Sequence, residues 1–178
     1  SSLKNNIEFN YIKNKTNDLF YLYYIIDMGK SNMLKLPLAV DYLPYLGTDK
    51  FTPAQLQQEW YKLGLTTGVS SHDKRCYVYI SGLGESFEKG VELMEQILNN
   101  AKSDQKAYED YVQGILKSRL DSKLGKRQIM WGGLFSYGKY GKNSSFTNII
   151  SEPDLKKIKP DALTNIIREI CTYNHRMF

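Results

Sequence analysis

Residues Cys76 to Leu98 read CYVYISGLGESFEKGVELMEQIL, which predicts a strand followed by a helix. In the strand, residues alternate with the period of two of a half-buried strand: Cys76, Val78 and Ile80 against Tyr77, Tyr79 and Ser81. Gly82 and Gly84 end the strand, and Ser86 is placed to cap the helix. The helix has an apolar stripe at helical spacing, formed by Phe87, Val91, Met94 and Leu98.

The residues before this unit predict a hairpin and two helices. Residues 65–71 and 75–82 form the hairpin around a polar turn. Thr52-Pro53-Ala54-Gln55 fits a capping box with proline at the first helical position, and Gly64 closes that helix. An earlier helix over residues 36–46 should be kinked or ended by Pro44, and its apolar face consists of Leu36, Val40, Leu43 and Leu46.

The N-terminal residues predict a second hairpin. Ile7, Phe9 and Tyr11 alternate with polar residues as in a strand, and a turn follows at residues 14–17. Leu19 to Gly29 is rich in aromatic and β-branched residues and predicts a strand buried on both faces. We expect these two strands to pair with each other.

The C-terminal part predicts helices and a final strand. A long helix begins near Asp104, and its stripe drifts toward Leu120 and Leu124, so the helix should bend or change partner. Gly132-Gly133, Gly138 and Gly141 should break up the next segment, before a polar loop at residues 143–148. A helical turn starts at Ser151, the last helix at Pro160 and a strand at His175.

This order predicts an α+β protein, a two-layer sandwich with helices packed on a largely antiparallel sheet. We expect residues 1–178 to form a single domain. The apolar fraction of 42% excludes a disordered chain, and two cysteines exclude a disulfide scaffold. The longest apolar run, Leu19 to Ile26, is too short to span a bilayer.

Residues that could carry chemistry are few and scattered. His72 and Cys76 are four apart across a turn and a strand, which favours a turn histidine and a core cysteine over zinc ligands. A disulfide between Cys76 and Cys171 is left open. Ser70 and Ser71 adjoin His72, but adjacency alone does not make a catalytic pair. Gly82-Leu83-Gly84 lacks the third glycine of a dinucleotide loop.

Basic residues cluster on one predicted helix face. Arg119, Lys123, Lys126 and Arg127 lie there, and such a patch suits either nucleic acid or solvent. A solvated face is favoured, because lysine-rich faces are common and the net charge is only +5. Arg119 shares the side of Val112, so it could instead be partly buried against a carboxylate.

The segment Leu36 to Thr48, LPLAVDYLPYLGT, resembles the signature segment of the insulinase/pitrilysin family of zinc peptidases. That family carries the inverted zincin motif H-x-x-E-H, followed shortly by Gly-Thr. The resemblance continues through FTPAQLQQEWYKLGLTTGVSS, YVYISGLGESFEKGVELMEQIL and KSRLDSKLGKRQIMWGGLFSYGKYG. It covers essentially the whole chain.

The resemblance places the motif on Leu38, Asp41 and Tyr42, so leucine and tyrosine replace the two histidine ligands. Asp41 replaces the glutamate base, and residues 111–120 lack the carboxylate of the family's third ligand. The resemblance therefore implies no catalytic residue, no cofactor-binding residue and no metal ligand in this chain. We expect Leu38, Val40 and Leu43 to be core residues.

The resemblance implies an inactive domain, the first of the C-terminal half of a longer zinc metallopeptidase. The zinc ion is then expected in the N-terminal half of that polypeptide, and the partners are that catalytic half and peptide substrates. The alternative is a non-proteolytic scaffold or interaction domain of the same fold. We expect no membrane span and do not favour a nucleic-acid partner. The Lys-, Asn- and Tyr-rich composition suggests a bacterial source, with the periplasm or cell envelope as a candidate compartment.

Overall fold

The computed structural model describes residues 7–144 and 147–178, without the side chains of Asn143 and Cys171. The described residues form two compact units: residues 7–104 with 160–178 form unit 1, and residues 105–144 with 147–159 form unit 2. The expectation of a single domain stays a prediction.

Unit 1 contains a mixed sheet. Its strands are β1 (Glu8–Phe9), β2 (Leu19–Ile26), β3 (Thr66–Ser71), β4 (Cys76–Leu83) and β5 (His175–Met177). Their order across the sheet is β1-β5-β2-β4-β3. The β2–β4, β2–β5 and β3–β4 pairs are antiparallel, and the β1–β5 pair is parallel. The α+β class and the β3–β4 hairpin are therefore confirmed.

The predicted pairing of the two N-terminal strands is wrong, because β5 lies between them. Met177 of β5 is opposite Tyr24 on one side and Phe9 on the other. The turn at residues 14–17 brings the strands toward the same sheet without making them neighbours. A local turn signal does not reveal a strand that arrives from far along the chain.

The prediction that β2 is buried on both faces is also wrong. Leu22, Tyr24 and Ile26 are buried, whereas Tyr21 is 60% exposed. The inward residues of β4 are buried on the same face, and these are Cys76, Val78 and Ile80. Helices cover this face, and the opposite face is not buried to the same degree.

The helices begin and end close to the positions that their capping signals predict. They are α1 (Lys35–Tyr42), α2 (Pro53–Lys62), α3 (Phe87–Asn100), α4 (Gln105–Ser122), α5 (Ser136–Tyr140), α6 (Glu152–Lys157) and α7 (Pro160–Glu169). The Thr52–Gln55 capping box is confirmed by both of its hydrogen bonds. Ser86 does not cap α3, because its Oγ donates to the carbonyl of Leu63 at 2.8 Å.

The core of unit 1 lies between the sheet and three helices. Helix α1 packs on β3, β4 and α7, and α3 packs on β4 and α7. Leu38, Val40 and Leu43 are buried, as predicted. At the end of this segment, the Oγ1 of Thr48 accepts hydrogen bonds from the backbone N–H groups of Lys50 and Phe51, which fixes the turn into α2.

The regular elements of unit 2, within its described residues, are helices. Tyr108 of α4 donates from its Oη to the carbonyl of Leu155 in α6 at 2.7 Å. The predicted break at Gly132-Gly133 is wrong, because Gln128–Phe135 forms a π-helical stretch that leads into α5. Two glycines cost a helix only about 1 kcal/mol each, which does not suffice to end it. The predicted loop at 143–148 includes residues outside the described part. Across both described ranges, no helix is long and apolar enough to cross a membrane.

Candidate functional site

The positions that match the zincin motif lie on α1, and two of them are buried in the core. Leu38 and Tyr42 are both buried, and the Tyr42 Oη donates to the carbonyl of Asp104 at 3.0 Å. A leucine side chain has no donor atom, and the phenol of Tyr42 keeps its proton for this hydrogen bond. These residues therefore do not fit a zinc ion, which needs imidazole, thiolate or carboxylate ligands.

Asp41, at the position of the glutamate base, contacts the β3–β4 hairpin instead of a metal site. Its Oδ2 accepts a hydrogen bond of 2.9 Å from the Oγ of Ser71. Burial raises the pKa of the Asp41 carboxyl, while the Ser71 hydrogen bond and the charge of His72 act in the opposite direction. The carboxyl links α1 to β3.

The neighbouring serine, histidine and cysteine do not form a catalytic arrangement. Ser71 donates to Asp41, whereas the Oγ of Ser70 lies 3.1 Å from the Nε2 of His72. Within the described ranges no hydrogen bond joins His72 to Asp41, so the Asp–His–Ser order of a triad is missing. Burial raises the pKa of the Cys76 thiol to about 11, which disfavours the nucleophilic thiolate.

His72 and Cys76 also lie in different environments. The Cys76 side chain is buried, whereas His72 is exposed on the turn. Across residues 7–144 and 147–178, no three His, Cys, Asp or Glu side chains are grouped as metal ligands would be. The Cys171 side chain is outside the described part, so its pairing with Cys76 stays open.

The remaining sequence candidates have structural explanations. A Cβ at Gly82 would lie 2.8 Å from the carbonyl oxygen of Gly64, so this glycine permits close packing of β4 on the chain before β3. The Nη1 of Arg119 donates to the carbonyl of Ile150 at 2.9 Å. The expectation that Arg119 is partly buried holds, but its hydrogen-bond partner is a backbone carbonyl. Lys123, Lys126 and Arg127 are exposed.

The open face of the sheet carries a row of aromatic rings that sequence reasoning missed. Tyr21, Tyr23, Tyr77 and Tyr79 point to this face, which we call the tyrosine face. The rings of Tyr23 and Tyr79 lie 5.4 Å apart between centroids. The alternation in β4 is present in the sequence, but the sequence predicts burial of β2 on both faces because the tyrosine ring is apolar.

A glycine on β3 makes room for one of these rings. Gly68 lies directly opposite Tyr79, and a Cβ at Gly68 would be 2.3 Å from the tyrosine ring. The Tyr79 ring therefore lies over the Gly68 backbone, with Tyr23 on its other side. Across β2, β4 and β3, the centre of the tyrosine face is a packed aromatic surface.

The comparisons with known proteins identify the fold. No family model matches the sequence, and no curated protein does either. Among solved structures, the peptidase M16 inactive domain from Pseudomonas fluorescens matches with a TM-score of 0.77 at 13% identity, over 93% of this chain and 42% of that one. A mutant of the ferredoxin protease FusC, in complex with Arabidopsis ferredoxin, matches with a TM-score of 0.79 at 12% identity, over 99% of this chain and 20% of that one.

A third similar structure is the periplasmic protease PqqL from Escherichia coli, with a TM-score of 0.70 at 9% identity, over 91% of this chain and 18% of that one. The chain thus spans less than half the length of each of these proteins. At this level of identity the likeness concerns the fold. The chain has the fold of domains found in peptidases, one of them an inactive peptidase domain, and this is the fold that the resemblance in its sequence implies.

Proposed function

We propose that the chain is a non-catalytic wall of a peptidase chamber, which binds and confines an unfolded peptide. In this proposal another half of the same polypeptide carries the zinc ion and performs the hydrolysis. The fold similarity to an inactive peptidase domain supports this reading, and so does the filling of the motif positions by Leu38 and Tyr42. Helices α1 and α3 pack on one face of the sheet, and the tyrosine face is the opposite face.

The tyrosine face is the observation on which the proposal rests. Each ring offers an apolar surface with a polar tip, and such rings bind extended peptides without selecting one side-chain sequence. Tyr21 is largely exposed, while Tyr23, Tyr77 and Tyr79 are half-buried and held by their strands. Rings held in this way lose little conformational entropy when a peptide binds.

Confinement explains why an inactive wall would be needed. A peptide held between two halves loses its freedom before the chemical step, and closing the chamber removes water around the metal. An exposed catalytic half would have neither advantage. A scaffold role is the second candidate, and it would leave peptide binding independent of the tyrosine face.

Peptide binding tests the proposal directly. We expect a reduced, alkylated and fluorescently labelled polypeptide to bind the chain, with a rise in fluorescence anisotropy. The double substitution Tyr21→Ser and Tyr79→Ser should weaken this binding about tenfold, because it removes the outer and the central ring. Tyr61→Ser is the matched control, because Tyr61 is 87% exposed but lies on α2, outside the sheet. Equal effects of the two changes, or no binding at all, would exclude the wall role.

Activity and metal content provide a second test. The chain alone should bind no stoichiometric zinc after dialysis and should cleave no peptide. When the chain is added to its separately produced catalytic half, hydrolysis should rise, and the rise should be smaller with the double tyrosine variant. Full hydrolysis by the catalytic half alone would favour the scaffold reading instead.

A further inference from the structure

Exposed apolar side chains of unit 2 are concentrated in residues 117–142, which we call the basic apolar segment. They are Leu120, Leu124, Ile129, Met130, Trp131, Leu134, Phe135, Tyr137 and Tyr140. The exposed fraction is 82% at Leu124 and 59% at Trp131. Single exposed apolar residues are ordinary, but nine of them between Leu120 and Tyr140 indicate an interaction surface.

The same segment carries the net positive charge of the chain. It contains seven Lys and Arg residues and one carboxylate, Asp121, which gives a net charge of +6. The whole chain has a net charge of +5, so the remaining residues together carry −1. A surface with this charge attracts an anionic partner and repels a second copy of itself.

Charged and apolar residues are separated along the segment. Residues 128–138 contain no charge, and Lys123, Lys126 and Arg127 precede them while Lys139 and Lys142 follow. We call the uncharged stretch the apolar centre and the flanking cations the rim, and the centres of protein–protein interfaces are depleted of charge in the same way. A helix that lies on a membrane has its cations and its apolar residues on opposite faces along its whole length.

The apolar centre is also locally ordered. The rings of Trp131 and Phe135 lie 5.6 Å apart between centroids, so they present one continuous aromatic surface. The two rings lie on the π-helical stretch Gln128–Phe135.

We propose that the basic apolar segment docks an acidic polypeptide segment that also carries leucine or aromatic side chains. Such a partner pairs with the cations of the rim and covers the aliphatic groups of the centre at the same time. A nucleic acid would neutralise the cations but would leave Leu124, Met130 and Leu134 without apolar partners. The inference goes beyond the wall role and does not depend on it, because the tyrosine face belongs to unit 1.

Tryptophan fluorescence of the chain gives a direct test. Of the two tryptophans, Trp60 is 5% exposed and Trp131 is 59% exposed, so a partner that covers the segment should shift the emission of Trp131 to the blue. The probe is a synthetic peptide of about 20 residues, in which each helical turn of glutamate residues is followed by a turn of leucine residues. A lysine–leucine peptide and a glutamate–serine peptide serve as control ligands.

We expect the glutamate–leucine peptide to bind and the two control peptides not to bind. The Trp131→Phe variant should show no blue shift. Lys123→Glu with Lys126→Glu should weaken the binding about tenfold, and so should Leu124→Ser with Leu134→Ser. Both pairs are exposed, so the thermal midpoint should stay close to that of the parent chain. Lys13→Glu with Lys15→Glu makes the same change in net charge at exposed residues of unit 1 and should leave the affinity unchanged.

Several outcomes would overturn the proposal. A blue shift with vesicles of phosphatidylcholine containing about 30% phosphatidylglycerol, but not with the peptide, would assign the segment to a membrane surface. Preferred binding of a single-stranded oligonucleotide would assign it to nucleic acid. Dimerisation in sedimentation without peptide binding would assign it to a second copy, and no binding to any probe would exclude a docking role for acidic segments.

Discussion

The hydroxyl of Ser71 donates to the carboxyl of Asp41 over 2.9 Å, and this hydrogen bond joins the first helix to the third strand. In the insulinase/pitrilysin family that the sequence resembles, the matching helix position carries the glutamate base. Here the same position holds a hairpin in place. Asp41 therefore has a structural effect that depends on pH.

The stability of the chain should depend on pH through Asp41. Burial raises the pKa of this carboxyl above its ordinary value, so the folded chain holds the proton more tightly than the unfolded chain. The stabilisation from Asp41 is then complete below the unfolded pKa and is lost as pH rises through the folded pKa. Asp41→Asn should remove this part of the pH slope, as measured by urea unfolding between about pH 4 and pH 7.

Ser71 provides the control for this prediction. Its hydrogen bond lowers the pKa of Asp41, so Ser71→Ala should move the Asp41-dependent slope to higher pH. Identical pH slopes in the parent chain, Asp41→Asn and Ser71→Ala would contradict the assignment.

Leu43 should be a major contributor to the core of unit 1. It is buried where α1 ends, so Leu43→Ala should lower the free energy of unfolding by about 2–5 kcal/mol. Leu124→Ala makes the same chemical change at a highly exposed position and should cost under about 0.5 kcal/mol. Chemical denaturation of both variants measures the difference, and similar losses would show that Leu43 does not occupy the core.

The stability of the chain should depend on glycine at position 68, because the ring of Tyr79 lies over it. A methyl group at Gly68 would overlap the outer end of this half-buried ring and force it to move, so Gly68→Ala should destabilise the chain by about 0.5–1.5 kcal/mol. The loss should be smaller when Tyr79→Ala is already present, and a double-mutant cycle measures this coupling. Gly114→Ala is the opposite control. A Cβ at Gly114 on α4 would lie in open space, so this substitution should raise the free energy of unfolding by up to about 1 kcal/mol. Additive effects at Gly68 and Tyr79 would refute their contact.

Cys76 should be unreactive in the folded chain. The thiol is buried and its pKa is raised to about 11, so the reactive thiolate is scarce at neutral pH. In a Cys171→Ser variant, alkylation of Cys76 should be slow without denaturant and fast in concentrated urea, as followed by mass spectrometry. Rapid labelling of the folded variant would mean that the hairpin opens or that the thiol is exposed.

Local signals in the sequence predicted the parts of the fold that depend on near neighbours. The Thr52–Gln55 capping box involves residues three positions apart, and both of its hydrogen bonds form. The Asp41–Ser71 hydrogen bond spans 30 positions, and no periodicity in the sequence connects its two residues. The tyrosine face was missed for another reason, because hydrophobicity patterns count a tyrosine ring as buried although its hydroxyl suits an exposed surface.

The insertion of β5 between β1 and β2 has a consequence for how the molecule reaches its native state. Arg176 of β5 pairs with Asp27, just after β2, across 149 positions, so this part of the sheet has a high contact order and should be slow to form. The β3–β4 hairpin and its pairing with β2 can form earlier, and the outer edge of β2 then lacks its neighbour. During synthesis on the ribosome that bare edge would persist until residue 177 emerges, which makes it the point most prone to aggregation.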